Sequence, residues 1–308
     1  MSAIIFKPLY VPRIWGGRNL ESIYQRELPD TTSPYGEAWE MVDREEAQSI
    51  VCDGAYAGKS LHELWKNHRS EIFGTSLPDS DRFPILIKIL DCSEPLSIQV
   101  HPPASIAKPL GGEPKTEMWY IADALPGAKL HAGLKRGATR EKFKQSIADG
   151  TVEELVHSIT PKKGDFLFIE SGRLHAIGAG FLIHEIQQNS DTTYRVFDWN
   201  RTDKDGKARD LHVEQSLACI DFDDIEPALE TPRGHTLVSC EHFITTLHHL
   251  AAGESIANPQ PDRFSLITVI SGSLDQKHPK GQTLLLPKSA PPLTATEPTS
   301  VLQIIIPS

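Results

Sequence analysis

Leu96-Ser97-Ile98-Gln99-Val100-His101-Pro102-Pro103 is the stretch on which the reading of this chain turns. On a β-strand alternate side chains share a face, so Gln99 and His101 point together while Ile98 and Val100 enter the opposite layer. Two polar groups on one face of a short, otherwise apolar strand look into a common space. Further along, Glu117 opens the strand-like run Glu117-Met118-Trp119-Tyr120, and His175 closes Gly172-Arg173-Leu174-His175. Two imidazoles and a carboxylate are donors that a borderline cation such as Zn2+ accepts, and the Gln99 amide oxygen adds a weaker fourth. Gln99, His101, Glu117 and His175 are therefore the candidate metal ligands.

Working outward, the same strand length recurs along the chain. Phe83 to Leu90, Met118 to Ala122, Asp165 to Ile169, Phe181 to Gln187, Tyr194 to Trp199, Phe264 to Ile270, Thr283 to Leu286 and Val301 to Ile306 are short runs rich in β-branched and aromatic residues, separated by turn residues. The 23 prolines and 21 glycines are spread along the 308 residues, punctuating many short elements. Helices are fewer. Ser60-Leu61-His62-Glu63 is a capping box whose helical segment stops near Gly74, and a second helical stretch starts near Thr139, is closed by Gly150 and is followed by Thr151-Val152-Glu153-Glu154. No Gly-x-Gly-x-x-Gly or phosphate-loop sequence follows a strand, so a nucleotide-binding βαβ unit has no support. The expected fold is mainly β, a sandwich or jelly roll with a small helical insertion near 138–160. Polar, proline-punctuated sequence around 221–240 suggests a boundary, giving a catalytic domain over 1–230 and a smaller β-rich unit over 231–308.

Composition narrows the function classes. With 39% hydrophobic and 23% charged residues the chain has the profile of a soluble globular protein. Its net charge is −10, with no basic run to neutralise phosphates, which argues against a nucleic-acid partner. The N-terminus has no charged region ahead of a long apolar run, and no apolar stretch suits a membrane span, so a cytoplasmic protein without a membrane partner is expected. Cys52, Cys92, Cys219 and Cys240 are too scattered for a ligand pattern and are expected as reduced thiols.

From Gly164 the chain reads Gly-x5-Glu-x-Gly-x-x-His, ending on His175. This resembles the second motif of the cupin superfamily, with Glu170 where proline is usual. Gln99-x-His101 resembles the first motif, its glutamate displaced to Glu117 by an insertion containing Gly111-Gly112. The C-terminal unit resembles a degenerate cupin: Gly281-x5-Pro287 is present, but Pro292 stands where the ligand histidine would be, so no metal is expected there. Phe83 to Lys88 running into Leu96 to Pro102, Pro114-Lys115-Thr116-Glu117-Met118-Trp119-Tyr120, and Asn189 to Val196 narrow the resemblance further. Pro12 to Gly17 and Gly36 to Glu40 extend it along the chain. Together they resemble the class I mannose-6-phosphate isomerases, in the shorter bacterial form.

That resemblance implies interconversion of mannose 6-phosphate and fructose 6-phosphate through an enediol, with one zinc ion per chain on His101, Glu117, His175 and Gln99. It implies catalytic roles for Arg195, Lys115, Asp191 and Glu185, and substrate contacts from Lys88 and Ser97. Lys115 could steady an oxyanion, or shuttle a proton if desolvation lowers its pKa. Arg195 suits a sugar oxygen, Asp191 ring opening, and Glu185 a base or a metal-orienting role. Which of them takes the carbon-bound proton stays open. Lys88 also reads as a solvated position on one face of its strand, and Glu185 and Asp191 as surface carboxylates. The partner is then a small sugar phosphate, and the protein a monomer or homodimer. A non-catalytic metal- or sugar-phosphate-binding cupin and an iron-dependent cupin oxygenase are the competing classes. The array of acid-base groups beyond the ligands favours catalysis.

Overall fold

The computed structural model describes residues 1–202 and 205–307 and divides into two compact units. One unit comprises Tyr10–Glu37 and Ile89–Glu230. Its five-stranded sheet runs in the order Tyr194–Phe197, Ile98–Val100, His175–Ile177, Leu130–Leu134, Val156–Ile159. A six-stranded sheet has the order Leu9–Gly17, Tyr35–Met41, Ile85–Cys92, Phe181–Gln188, Glu117–Ala124, Phe166–Ile169; its first three strands each contain residues of both units. Alternation along the strands builds two cores. Trp119, Ile121, Phe181 and Ile183 from the larger sheet meet Leu130, Ala132 and Ile177 from the smaller one. Ile98, Val100, Leu134, Ala176 and Val196 point the other way, against Phe143 of the helix Arg140–Asp149 and Cys219 of the helix Val213–Cys219. Each fully buried side chain of this size contributes roughly 1.5–3 kcal/mol, so the sandwich rests on these apolar faces, leaving the polar positions between them for chemistry.

The mainly β jelly-roll expectation holds, the sheets pairing antiparallel, with corrections in detail. The insertion near 138–160 is helical only over Arg140–Asp149 and the 3-10 turn Val152–Leu155; Val156–Ile159 is a strand on Leu130–Leu134. Besides the three-residue His175–Ile177, four strands of this unit's sheets escape the sequence reading. Leu9–Gly17 carries Pro12 and two terminal glycines, and Tyr35–Met41 alternates nothing because all seven residues are buried. Leu130–Leu134 contains Ala132 and Gly133 where the pairing with the fourth, Val156–Ile159, shifts register. The helix Val213–Cys219 was also unforeseen; no side chain caps its start.

The other unit comprises Met1–Leu9, Ala38–Lys88 and the chain from Thr231 onward. Segments 1–9 and 38–88 thus group with the chain from Thr231 onward, although they lie within the 1–230 stretch of the sequence. Contacts made across long sequence separations leave no compositional mark. The six-stranded sheet here has the order Ile4–Ile5, Thr283–Leu286, Ser265–Ser271, Thr299–Ile305, Ile244–Leu250, Thr236–Ser239. The capping box is formed as read: Ser60 Oγ accepts from Glu63 N, the Glu63 carboxylate accepts from Ser60 N, and the helix Leu61–Asn67 follows. Its continuation Arg69–Phe73 ends at Gly74, where φ is +96° and a Cβ would sit 2.0 Å from the Asp262 carbonyl oxygen, so only glycine fits. Trp65, Phe73, Phe83 and Phe264 interlock edge to face and tilted, with centroids 4.9–5.8 Å apart. All four cysteines are free thiols, and among the described residues no helix is long and apolar enough to cross a membrane.

Candidate active site

Strand register assembles the centre. Gln99 lies on the second strand of the five-stranded sheet, directly opposite His175 on one side and Arg195 on the other, so all three share a face. Its neighbours Ile98 and Val100 enter the helix-covered core, as their alternation requires. His101 follows immediately, and the His101 carbonyl accepts from Gly172 N at 2.9 Å, tying the two motifs together. Gly172 has φ +95°, a conformation that suits glycine and turns the chain so that His175 enters its strand. Glu117 opens the strand Glu117–Ala124 opposite Gln187 and Ile169. Donor atoms of His101, Glu117 and His175 lie within 4.8 Å of one another, and all three side chains are fully buried.

The chemistry of this group fits a cation. The Nδ1–H of His101 donates to the Thr192 carbonyl at 2.8 Å and that of His175 to the Arg173 carbonyl at 2.9 Å, which leaves an Nε2 lone pair on each ring facing Glu117. Those Nε2 atoms are 3.6 Å from Oε2 and Oε1 of Glu117, respectively. His101 Nε2 and Glu117 Oε1 are buried acceptors without a hydrogen bond, while Glu117 Oε2 is met by the Lys115 ammonium at 2.8 Å; the first two cost stability unless a positive centre answers them. Burial, then the Lys115 charge, pushes the His101 imidazole down to about 3, and burial lowers His175 as well, so both are neutral at physiological pH, as ligation requires. Among the described residues this is the one group of three or more histidines, cysteines or carboxylates so placed.

Around the ligands, the anticipated residues fall into distinct positions. Lys115 is buried, its Nζ 2.8 Å from Glu117 Oε2. Burial alone would depress this ammonium, but Glu117, Glu185 and Asp191 outweigh it and hold Lys115 above its ordinary value. Burial likewise works against the Glu117 carboxylate, yet the Lys115 ammonium 2.8 Å away holds it ionised, well below the usual range. Glu185 is 4% exposed, which removes the strand-surface reading; it lies opposite Trp119 and accepts the indole N–H at 3.2 Å. The Trp119 ring in turn meets His175 edge-on at 5.4 Å. Ser97 is buried and donates to Gln99 Oε1 at 3.4 Å, so its hydroxyl orients the amide. As placed, the Gln99 NH2 faces His175 Nε2 at 3.3 Å; a half-turn of the amide would present Oε1 there instead.

Three anticipated residues remain. Asp191 is exposed, its charge felt by Lys115 and Arg13. Arg195 donates from Nη1 to the Asp210 carbonyl at 2.9 Å, while its Nε is buried without a partner. Lys88 belongs to the other unit, where it is 4% exposed with its ammonium 4.8 Å above the Trp39 ring; the solvated-face reading is thereby corrected.

Sequence reasoning missed a basic rim. Arg201 and Arg209 converge on the buried carboxylate of Asp198, with contacts of 2.5 Å from Arg201 Nη2 and 2.7 Å from Arg209 Nε. They border a cavity of about 320 Å³ lined also by Pro12, Arg13 and Trp15. An adjoining one of about 390 Å³ is lined by Arg195, Lys207, Arg209 and His212. Two guanidinium groups on one carboxylate leave a positive excess next to Arg195, within a chain of net charge −10. The spacing of Asp198, Arg201 and Arg209 has no motif, though four basic residues in the segment 201–209 of an acidic chain are a signal available to be read.

Comparison with known proteins gives the family. The family described as phosphomannose isomerase type I, catalytic domain, matches residues 5–123. Mannose-6-phosphate isomerase ManA of Bacillus subtilis (strain 168) is 38% identical over 304 residues, covering 92% of this chain and 92% of its own. The mannose-6-phosphate isomerase of Streptococcus mutans serotype c is 37% identical over 291 residues, 90% of each chain. The crystal structure of mannose 6-phosphate isomerase from Bacillus subtilis superimposes with a TM-score of 0.87 at 33% identity, covering 99% of this chain and 100% of that one. With such identity sustained over nearly the full length, the chain belongs to the type I phosphomannose isomerase family.

Proposed function

We propose that this protein interconverts mannose 6-phosphate and fructose 6-phosphate in the cytoplasm, with one zinc ion held by His101, Glu117 and His175 and completed by the Gln99 amide oxygen. The observation that carries the reading is the buried imidazole–carboxylate–imidazole group with orphaned acceptors, set beside an ammonium and a second buried carboxylate. The ion, when bound, supplies Lewis acidity toward a sugar carbonyl or hydroxyl oxygen. Lys115, kept charged, faces negative charge that develops on the enediol oxygens and can return a proton to them. With Lys115 an ammonium, a carboxylate is the base the centre offers. Glu185, buried and steadied by the Trp119 N–H, takes the proton from C2 and returns it to C1, or the reverse. Asp191 at the exposed edge moves hydroxyl protons in ring opening, and Arg195 holds a sugar oxygen. Lys88 and Ser97 contact the phosphate, and the basic rim draws the anion in against the net charge.

A coupled assay on mannose 6-phosphate beside free mannose tests this. The phosphate ester is expected to be turned over far better. Lys88→Ala is expected to raise KM about tenfold with little change in kcat, since a hydrogen bond to a charged group contributes about 1.5–3 kcal/mol. Binding of the sugar phosphate without turnover by metal-loaded protein would favour the non-catalytic reading, and equal rates on free mannose would remove Lys88 and Ser97 from the substrate.

A further inference from the structure

His101 is oriented by a backbone carbonyl, and the residue that owns this carbonyl is held in turn by its own side chain. Thr192 O accepts the His101 Nδ1–H at 2.8 Å, while Thr192 Oγ1 accepts from Glu113 N at 2.9 Å. Glu113 lies two residues before Lys115 and four before Glu117, in the insertion that separates His101 from its glutamate partner. Further bonds run in parallel. Tyr194 Oη donates to the Leu110 carbonyl at 2.9 Å, Ser190 Oγ donates to the Glu113 carbonyl at 3.3 Å, and Thr192 N donates to Ser190 Oγ at 3.2 Å. Gly112 sits beneath them so closely that a Cβ would come within 2.6 Å of Tyr194 Oη and 2.7 Å of Thr192 Cγ2. One short segment, 190–194, thus touches the imidazole of one metal ligand and the loop leading to another, and it contains Asp191.

We propose that Thr192 is a positioning residue. Its carbonyl sets the ring orientation and tautomer of His101, and its hydroxyl straps the 110–113 loop, so that His101, Lys115 and Glu117 are presented together. The turnover part of this inference rests on the isomerase reading; the metal part does not. Valine has the shape of threonine without the acceptor, so Thr192→Val cuts the bond to Glu113 N, and Thr192→Ser keeps it. Groups that orient metal ligands typically change metal affinity or activity by about 10–100-fold when altered. Thr192→Val is expected to bind zinc about tenfold more weakly in competition with a chromogenic chelator. It is also expected to lower kcat about tenfold with KM within about twofold, and Thr192→Ser to restore both. Gly112→Ala, which pushes the strap apart from the loop side, is expected to weaken zinc binding in the same direction. The inference is overturned if Thr192→Val retains the parent zinc affinity, or if Thr192→Ser is as impaired as Thr192→Val, which would mean that the methyl group rather than the hydroxyl matters. If the parent protein proves inactive on the sugar phosphates, the zinc titrations still decide the role of Thr192.

Discussion

Glu117→Gln is expected to lose the bound ion and at least about 10³-fold in kcat/KM, corresponding to about 4 kcal/mol of transition-state stabilisation. Glu117 is the one negatively charged donor of the buried group, and both of its oxygens face the space between the two imidazoles. Glutamine keeps the shape but exchanges a carboxylate for a neutral amide. The same substitution removes the nearest partner of the Lys115 ammonium, 2.8 Å away in a fully buried setting. Breaking a buried ion pair on one side typically costs about 3–5 kcal/mol, so thermal stability falls with metal content. Because Glu185 and Asp191 also bear on Lys115, the protein is expected to stay folded at ambient temperature. Metal analysis and a melting curve on the same sample separate the two effects. A Glu117→Gln protein that keeps a full equivalent of zinc would place the ion elsewhere.

The parts of this centre that could be read ahead of the structure are those encoded by local alternation. Gln99 and His101 share a face because Ile98 and Val100 must enter the opposite core, and the core does take them. Gly172 announces the turn that delivers His175, because few other residues tolerate its backbone conformation. Other features depend on pairing between distant strands, which no local pattern carries. Glu185 meets Trp119 across 66 positions of sequence, so its burial could not be told from a surface carboxylate at the same spacing. The charge state of Lys115 is set by three carboxylates brought together only in the fold. Thr192 acts toward His101 through a carbonyl, a group that every residue possesses. Likewise, segments 1–9 and 38–88 join the C-terminal unit through contacts rather than composition.

Arg195→Ala is expected to leave zinc bound and lower kcat by about 10²–10³-fold, the effect typical of removing one charged or polar group that steadies developing negative charge. Arg195 lies opposite Gln99 in the sheet, one strand removed from His175, and it borders the cavity of about 390 Å³ beside Arg209 and His212. Its Nε is buried without a partner, and a single carbonyl engages Nη1, so donors remain for a sugar oxygen. None of the three clustered ligands depends on it for a hydrogen bond, so metal content should match the parent protein. Arg195→Lys, which keeps the charge and loses the fork, should recover only part of the rate. Unchanged turnover in Arg195→Ala would make this residue a support for the 198–210 segment alone.

Stripping the ion and titrating it back tests the central claim most directly. Protein dialysed against a strong chelator, with its residual metal measured, is expected to show less than about 1% of the parent rate in converting fructose 6-phosphate to mannose 6-phosphate. Added zinc should restore the rate linearly and saturate at a single equivalent per chain. Full activity in protein verified to be free of metal would contradict a metal-dependent isomerase centred on His101, Glu117 and His175.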